Sequence, residues 1–451
     1  MKILKNTKYI VPAFLLLTLL SCNKFLDVQP KDSVPDTETI FDRSSAETAV
    51  RGIYRSLSAD SYYGVSFPSI GYLSGDNVQW TGSQSIVQQL IDHNVKADNA
   101  TVSNVWLAIY TTINRANYVI AKLPALNDAT LTPAYKDQLL GEAYFIRALA
   151  YFDLARTWGG VQIVTTPTLS ASDKNGIPRS TVEQTYAQVL SDLNAAEPLL
   201  PAPTSQNPIR ANKETVWALK ARYYLYQKDW ANAEIFATQV LNDKSNYTLA
   251  KPFNSWFANN AVGTKESVLE LSYSATYTNG HRGQWQPPAN GGTRQWAPGN
   301  TLLGLLNDPV TGGTRSSLVA KTAAGLWYGN LYYRSPATDP AYVIRIAELY
   351  LIRAEARAQL NKLDDAKADL NLIRDRAGLE VTPAATQDDI LLAIENERRL
   401  EFAFEGHRWF DLVRTGRAAA VLGVSDTKKY VLPIPIDQLN VDPALTQNPG
   451  Y

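Results

Sequence analysis

Three stretches of the chain carry one small pattern: "EAYFIRALAYFDL" (142–154), "ETVWALKARYYLY" (214–226) and "ELYLIRAEARAQL" (348–360). Each reads aromatic-x-[Ile/Leu]-[Arg/Lys]-Ala, with Tyr144, Trp217 and Tyr350 as the aromatics and Ala148, Ala221 and Ala354 as the small residues. Apolar residues recur at i, i+3, i+4 and i+7, the spacing of one face of an α-helix. A small alanine in the middle of that face lets a second helix approach closely. Each stretch therefore predicts one half of a helix pair.

The second halves are visible in two cases. Ala221 is followed by Ala233 in "DWANAEIFATQVL", and Ala354 by Ala366 in "LDDAKADLNLIRDR". An aromatic, a small residue and an alanine on the partner helix resemble the tetratricopeptide pattern. The short links "QKD" and "NKL" fit tight helix–turn–helix connections. Further helices are predicted at 45–58, 104–122, 181–196 and 387–404. The fold class that follows is mainly α, a tetratricopeptide-like helical-pair scaffold. The pairs are not contiguous, and the long loop-rich insertions between them are foreign to a plain repeat protein.

The N-terminus carries a different signal. Lys2, Lys5 and Lys8 precede an apolar run from Tyr9 to Leu20, which meets Ser21-Cys22. A basic flank, a short apolar stretch and a small residue at the cut make a secretory signal. The run is too short for the roughly 20 apolar residues of a spanning helix. "LLSC" also resembles the bacterial lipobox, in which the cysteine is lipidated and becomes the mature first residue. Cys22 is the only cysteine in the chain, so its acylation leaves a mature protein with no thiol, no disulfide and no cysteine-ligated metal. The expected organisation is a lipoprotein signal peptide over 1–21, an extended leash over 22–43 and one domain over 44–451. Its helical scaffold lies mainly at 44–250 and 341–420, with insertions at about 60–100 and 251–340. No later segment is apolar for long enough to span a bilayer, so the lipid is expected to be the membrane attachment.

Composition narrows the function classes. Hydrophobic residues make up 45% of the chain, enough to bury a core without crosslinks. Lys+Arg 43 balances Asp+Glu 43 with no basic stripe, which argues against nucleic acid as a partner. His93, His281 and His407 stand far apart and in no metal-ligand spacing, and no phosphate-binding glycine loop is present, so neither metal nor cofactor is expected. The acidic stretch "ENERRLEFAFEGHRWFDLVR" (395–414) reads as one helix with Glu397, Glu401 and Glu405 on one face. Paired carboxylates can cleave a glycosidic bond. The interleaved Arg398, Arg399 and Arg408 make ion pairing with neighbouring helices a sufficient account, so a hydrolase built on Glu397 or Glu401 is the lesser reading.

The insertions carry the more pointed chemistry. Nine of the 25 glycines fall between Asn279 and Gly325, and Trp256, Trp285, Trp296 and Trp327 lie in the larger insertion. Loops this rich in glycine bury indoles poorly, so some are expected at the surface. Aromatic faces stack on the C–H faces of sugar rings, while Asp, Asn and Arg bond hydroxyls. "SGDNVQW" supplies Asp76, Asn77 and Trp80; "TYTNGHRGQW" supplies Tyr277, Arg282 and Trp285, with Trp296 beyond. The alternative is that these aromatics pin long loops to the scaffold.

These residues, together with "CNKFLDVQP", "WLAIYTTINRANYVIAKLP", "EAYFIRALAYFDLARTWGGVQIV" and, above all, "ERRLEFAFEGHRWFDLVR", closely resemble the SusD/RagB outer-membrane lipoproteins of Bacteroidetes. The resemblance covers essentially the whole chain. It implies a lipid-anchored protein on the cell surface that captures oligosaccharides, or peptides in some branches, without catalysis. It also implies a partner, a SusC-like TonB-dependent transporter over which the protein sits as a lid. Ligand contacts in such proteins come from the loop after the first helix and from the large insertion. Carried onto this chain, those are the regions holding Asp76, Asn77, Trp80, Tyr277, Arg282, Trp285 and Trp296.

Overall fold

The computed structural model describes residues 39–170, 172–203 and 207–451. The signal peptide, Cys22 and most of the leash lie outside the described residues.

The scaffold begins with α1 (Arg43–Leu57), whose first turn is closed by a capping box between Asp42 and Ser45. A turn of π type over Asp60–Gly64 leads into α2 (Ser66–Leu73), β1 (Val78–Trp80) and α3 (Ser85–Ile91), so the first insertion is mostly ordered structure. α4 (Ala100–Lys122), α5 (Pro133–Trp158) and α6 (Val182–Ala196) then pack in succession. α7 (Lys213–Tyr226) packs on α8 (Trp230–Asn242).

The larger insertion contains three short antiparallel ladders and two short helices, α9 (His281–Trp285) and α10 (Asn300–Asn307). β2 (Ser267–Leu271) opens it and β6 (Ala341–Arg345) closes it, and the two strands pair. Every residue of both strands is buried, so the insertion is pinned at its neck. β3 (Trp296–Pro298) pairs with β1 and sets Trp296 opposite Trp80, which joins the two insertions. β4 (Val319–Lys321) and β5 (Trp327–Gly329) form a hairpin.

β6 runs directly into α11 (Ile346–Gln359), which packs on α12 (Leu363–Arg376), on α8 and on α13 (Gln387–Glu401). The helix pairs are those the repeats predict. Ala148, Ala221, Ala233, Ala354 and Ala366 are all 0% exposed, as expected where two helices meet through a methyl group. Lys228 and Asn361, in the two links, adopt left-handed φ of 57° and 59°, which stops one helix and turns the chain for the next.

The stretch 395–414 departs from the single helix expected of it. α13 ends at Glu401, and α14 (Arg408–Arg414) starts again after a turn. Gly406 sits in that turn at φ 74°. Its carbonyl lies against the α-carbon of Gly71 in α2, where a Cβ on Gly71 has no room. The crossing of two backbones, which no helical periodicity reports, breaks the helix. α15 (Ala418–Leu422) and α16 (Ile436–Val441) punctuate the C-terminal strap. The strap folds back on α5: the Trp158 indole donates to the Pro433 carbonyl at 2.9 Å, and Leu432 N–H to the Thr157 carbonyl at 2.8 Å.

Candidate ligand-binding site

Most of the residues singled out from the sequence are spent on the fold. Trp285 and Trp296 are 1% and 5% exposed, and do not face solvent as the loop composition suggests. Trp285 packs on Tyr72, Trp296 and Phe404 at centroid distances of 5.5, 5.7 and 4.6 Å. His281 stacks on Tyr332 at 4.4 Å beside them. Glycine here covers a ring rather than exposing it: the chain at Gly329 passes close over the Trp285 ring, where a Cβ has no room. Burial keeps His281 neutral, its pKa lowered to about 4 despite the Tyr63 carbonyl at its ring.

Asn77 is also buried. Its amide donates to the Arg399 carbonyl at 3.1 Å and accepts from Arg399 Nε at 2.9 Å, tying β1 to α13. Asp76 is clamped by Arg408 at 2.7 Å and Arg399 at 2.9 Å. Arg282 bonds the Asn290 carbonyl within its own loop. Trp80 is half-buried on the β1 ladder. Asp76 and Asn77 bind the first insertion to the scaffold, Trp80 joins it to the larger insertion, and Arg282 braces its own loop.

The carboxylates of the C-terminal block are likewise committed. Glu401 receives Arg345 at 2.9 Å, Arg315 at 3.0 Å and Arg376. Glu397 pairs with Arg315 at 2.6 Å and Arg374 at 3.2 Å, and Glu405 with Arg345 at 2.6 Å. Burial alone raises a carboxyl group, but at Glu401 the three guanidiniums outweigh it and hold the pKa at about 2. A fully buried carboxylate saturated by arginines is placed neither to donate nor to accept a proton from a sugar. The carboxylates are ion-paired, but of their partners only Arg374 and Arg376 lie on a neighbouring helix, α12; Arg345 ends β6 and Arg315 lies in the turn before β4.

Tyr277, by contrast, lines an open cleft of about 520 Å³. Its floor is the end of α1 (Arg55, Ser56), and the π turn supplies Ala59, Asp60 and Ser61. One face of α4 supplies Asn104, Leu107, Ala108, Thr111 and Arg115. Tyr273 stacks on Tyr277 with centroids 5.3 Å apart and rings inclined by 29°. Both phenols donate to the Ser58 carbonyl, at 2.9 and 2.7 Å, so the end of α1 positions the two rings. The Arg55 guanidinium lies on the Tyr277 ring. Arg115 donates to the Gly52 carbonyl at 2.7 Å. Partial burial raises the Asp60 pKa, opposed by Arg55 and the Gly280 N–H.

Arg55, Asn104 and Arg115 did not stand out in the sequence because they sit on helices assigned to the scaffold, while Tyr273 and Asp60 fall within the insertions without belonging to the motifs singled out there. One signal was available: Leu107, on the polar side of α4, is 49% exposed. Two other grooves, of about 580 and 740 Å³, flank α13. The arginines lining them are all paired internally: Arg398 and Arg414 with Asp411, Arg417 with Glu395, Arg374 with Glu397 and Arg399 with Asp76.

Comparison with known proteins places this architecture. A family model described as "Starch-binding associating with outer membrane" matches residues 24–225, and a model of the SusD family matches residues 327–429. The intervening stretch, which holds Tyr273, Tyr277 and most of the larger insertion, is matched by neither. SusD-like protein P38 of Formosa agariphila is 28% identical, over 99% of this chain and 100% of its own. The starch-binding protein SusD of Bacteroides thetaiotaomicron is 23% identical, over 99% of this chain and 100% of its own. A solved laminarin-binding SusD-like protein superposes with a TM-score of 0.80 at 25% identity, covering 91% of this chain and 100% of that one.

Proposed function

The chain belongs to the SusD/RagB family, and from that premise we propose that it is a non-catalytic lipoprotein of the outer-membrane surface. It captures oligosaccharides in the cleft beside Tyr277 and delivers them to a SusC-like TonB-dependent transporter. The observation that carries this reading is Tyr277, braced by Tyr273, on an open cleft lined by Asp60, Asn104 and Arg115. Tyr277 and Leu107 offer apolar surface to the C–H side of a sugar, and the polar groups around them take hydroxyls. Relatives named for binding starch and laminarin support the ligand class.

Cys22, acylated, is the membrane attachment in this reading. Among the described residues no helix is long and apolar enough to cross a membrane. The test is calorimetric titration of a neutral and acidic oligosaccharide panel into wild type and Tyr277→Ala. Wild type binds at least one saccharide, and Tyr277→Ala weakens it about tenfold, the effect of one lost aromatic contact. Binding of peptides with no saccharide bound at all would move the assignment to a peptide-capturing, RagB-like role on the same scaffold.

A further inference from the structure

The cleft differs from its neighbours in what happens to its arginines. Those lining the two grooves beside α13 are all neutralised within the protein, as described above. Arg55 and Arg115 have no ion-pair partner among the described residues, although both line one cleft. Asp60 acts on Arg55 only at longer range and takes the Gly280 N–H instead. The named lining residues therefore carry two guanidiniums against one carboxylate, in a chain whose formal net charge is +0.

The geometry of the two side chains fits an anion. The Arg55 guanidinium lies over the Tyr277 ring, and among the described residues its N–H groups have no hydrogen-bond acceptor. Arg115 spends one N–H on the Gly52 carbonyl and keeps the rest of its fork. Such forks match a carboxylate or a sulfate bidentately. Between them, Tyr277 and the exposed Leu107 offer apolar surface for a ring face.

The geometry points to an acidic oligosaccharide, one bearing carboxylate or sulfate groups, as the ligand of this cleft, gripped by Arg55 and Arg115 while Tyr277 and Leu107 pack against a sugar ring. This rests on the reading of the cleft as a saccharide site. Carboxylate and sulfate share the chemistry, so both are tested. The full mature chain is titrated with three tetrasaccharides of one length: a uronic-acid tetramer, a sulfated tetramer and a neutral tetramer.

Wild type binds one of the acidic tetramers at least tenfold more tightly than the neutral one, and the preference shrinks between 50 and 500 mM NaCl as the charges are screened. Arg55→Gln and Arg115→Gln each weaken the acidic ligand on the order of tenfold, and weaken the neutral one by a smaller factor. Both side chains are exposed, and thermal melting checks that the variants fold as wild type does. Equal binding of neutral and acidic tetramers, indifferent to both substitutions but lost in Tyr277→Ala, overturns the acidic assignment and leaves the saccharide site standing. No saccharide binding at all overturns both.

Discussion

The buried charge cluster around Glu401 makes a demanding prediction. Glu401 is 0% exposed and faces Arg315, Arg345 and Arg376. Replacing it by Gln keeps the shape and removes the charge that balances three guanidiniums. Holding a carboxylate at about 2 rather than 4.5 is worth about 3 kcal/mol at neutral pH. Breaking a buried ionic group by removing one member costs about 3–5 kcal/mol, which agrees. With an unfolding entropy near 2.1 cal/mol/K per residue, a cooperative unit of roughly 400 residues loses about 1 °C per ~1 kcal/mol. Glu401→Gln is therefore expected to melt about 3–4 °C below wild type at pH 7, by calorimetry. Because the folded pKa is depressed, the stability is present above pH 4.5 and is lost as pH falls toward 2. The gap between variant and wild type narrows over that window. Glu405 behaves differently. Burial and the adjoining Glu401 and Glu266 carboxylates raise its pKa despite Arg345, so Glu405→Gln costs less. A Glu401→Gln protein that melts with wild type at pH 7, or that is hardier than Glu405→Gln, refutes the account.

Three further outcomes follow from the packing. Trp285→Ala removes a ring wedged among Tyr72, Trp296 and Phe404, and is expected to cost about 3–5 kcal/mol in denaturant titration, a loss Tyr277→Ala does not share. Gly71→Ala drives a methyl group into the Gly406 carbonyl, and is expected to lower stability by about 1–3 kcal/mol, read from the same titration. Burial holds His281 at about 4 and His407 at about 3 against 6.5, so both stay neutral in the fold while the unfolded chain takes protons. Melting temperature is expected to fall as pH drops from 6.5 toward 4, and to fall less steeply in His281→Phe.

The scaffold was legible because helices declare themselves locally. An alanine such as Ala221 or Ala354 fixes both the face and the closeness of the pair, and periodicity within about twelve residues is enough to see it. The site was legible only as a region. Trp285 and Trp296 share every compositional mark with a surface ligand platform. What buries them is contact with Tyr72 and Phe404, distant in the chain, and composition carries no record of that contact. Arg55 and Arg115 failed to stand out for the opposite reason. On an amphipathic helix an arginine is the ordinary solvent-facing residue, and only the tertiary count of partners shows which ones lack a carboxylate. The same limit explains the break at Gly406, which the backbone of α2 imposes.

The two fates of arginine in this chain divide the labour of the molecule. Arg315 comes from the larger insertion, Arg345 from its closing strand, Arg376 from α12, and all converge on Glu401 at the end of α13. Arg399 and Arg408 do the same for the first insertion through Asp76 and Asn77. Desolvated pairs of this kind add little net stability over an apolar core, but they penalise every arrangement that leaves one member unpaired. They therefore fix where the insertions sit on the helices more sharply than hydrophobic contact does. Placement of that kind is what the cleft requires, since Tyr273 and Tyr277 come from the larger insertion, Asp60 from the start of the first, and Arg55 and Arg115 from the scaffold. A shift of the insertion by an ångström would take the ring off Arg55 and the phenols off Ser58. Charges satisfied in the interior hold the geometry, and the charges left unsatisfied at the cleft are then free to be satisfied by a ligand.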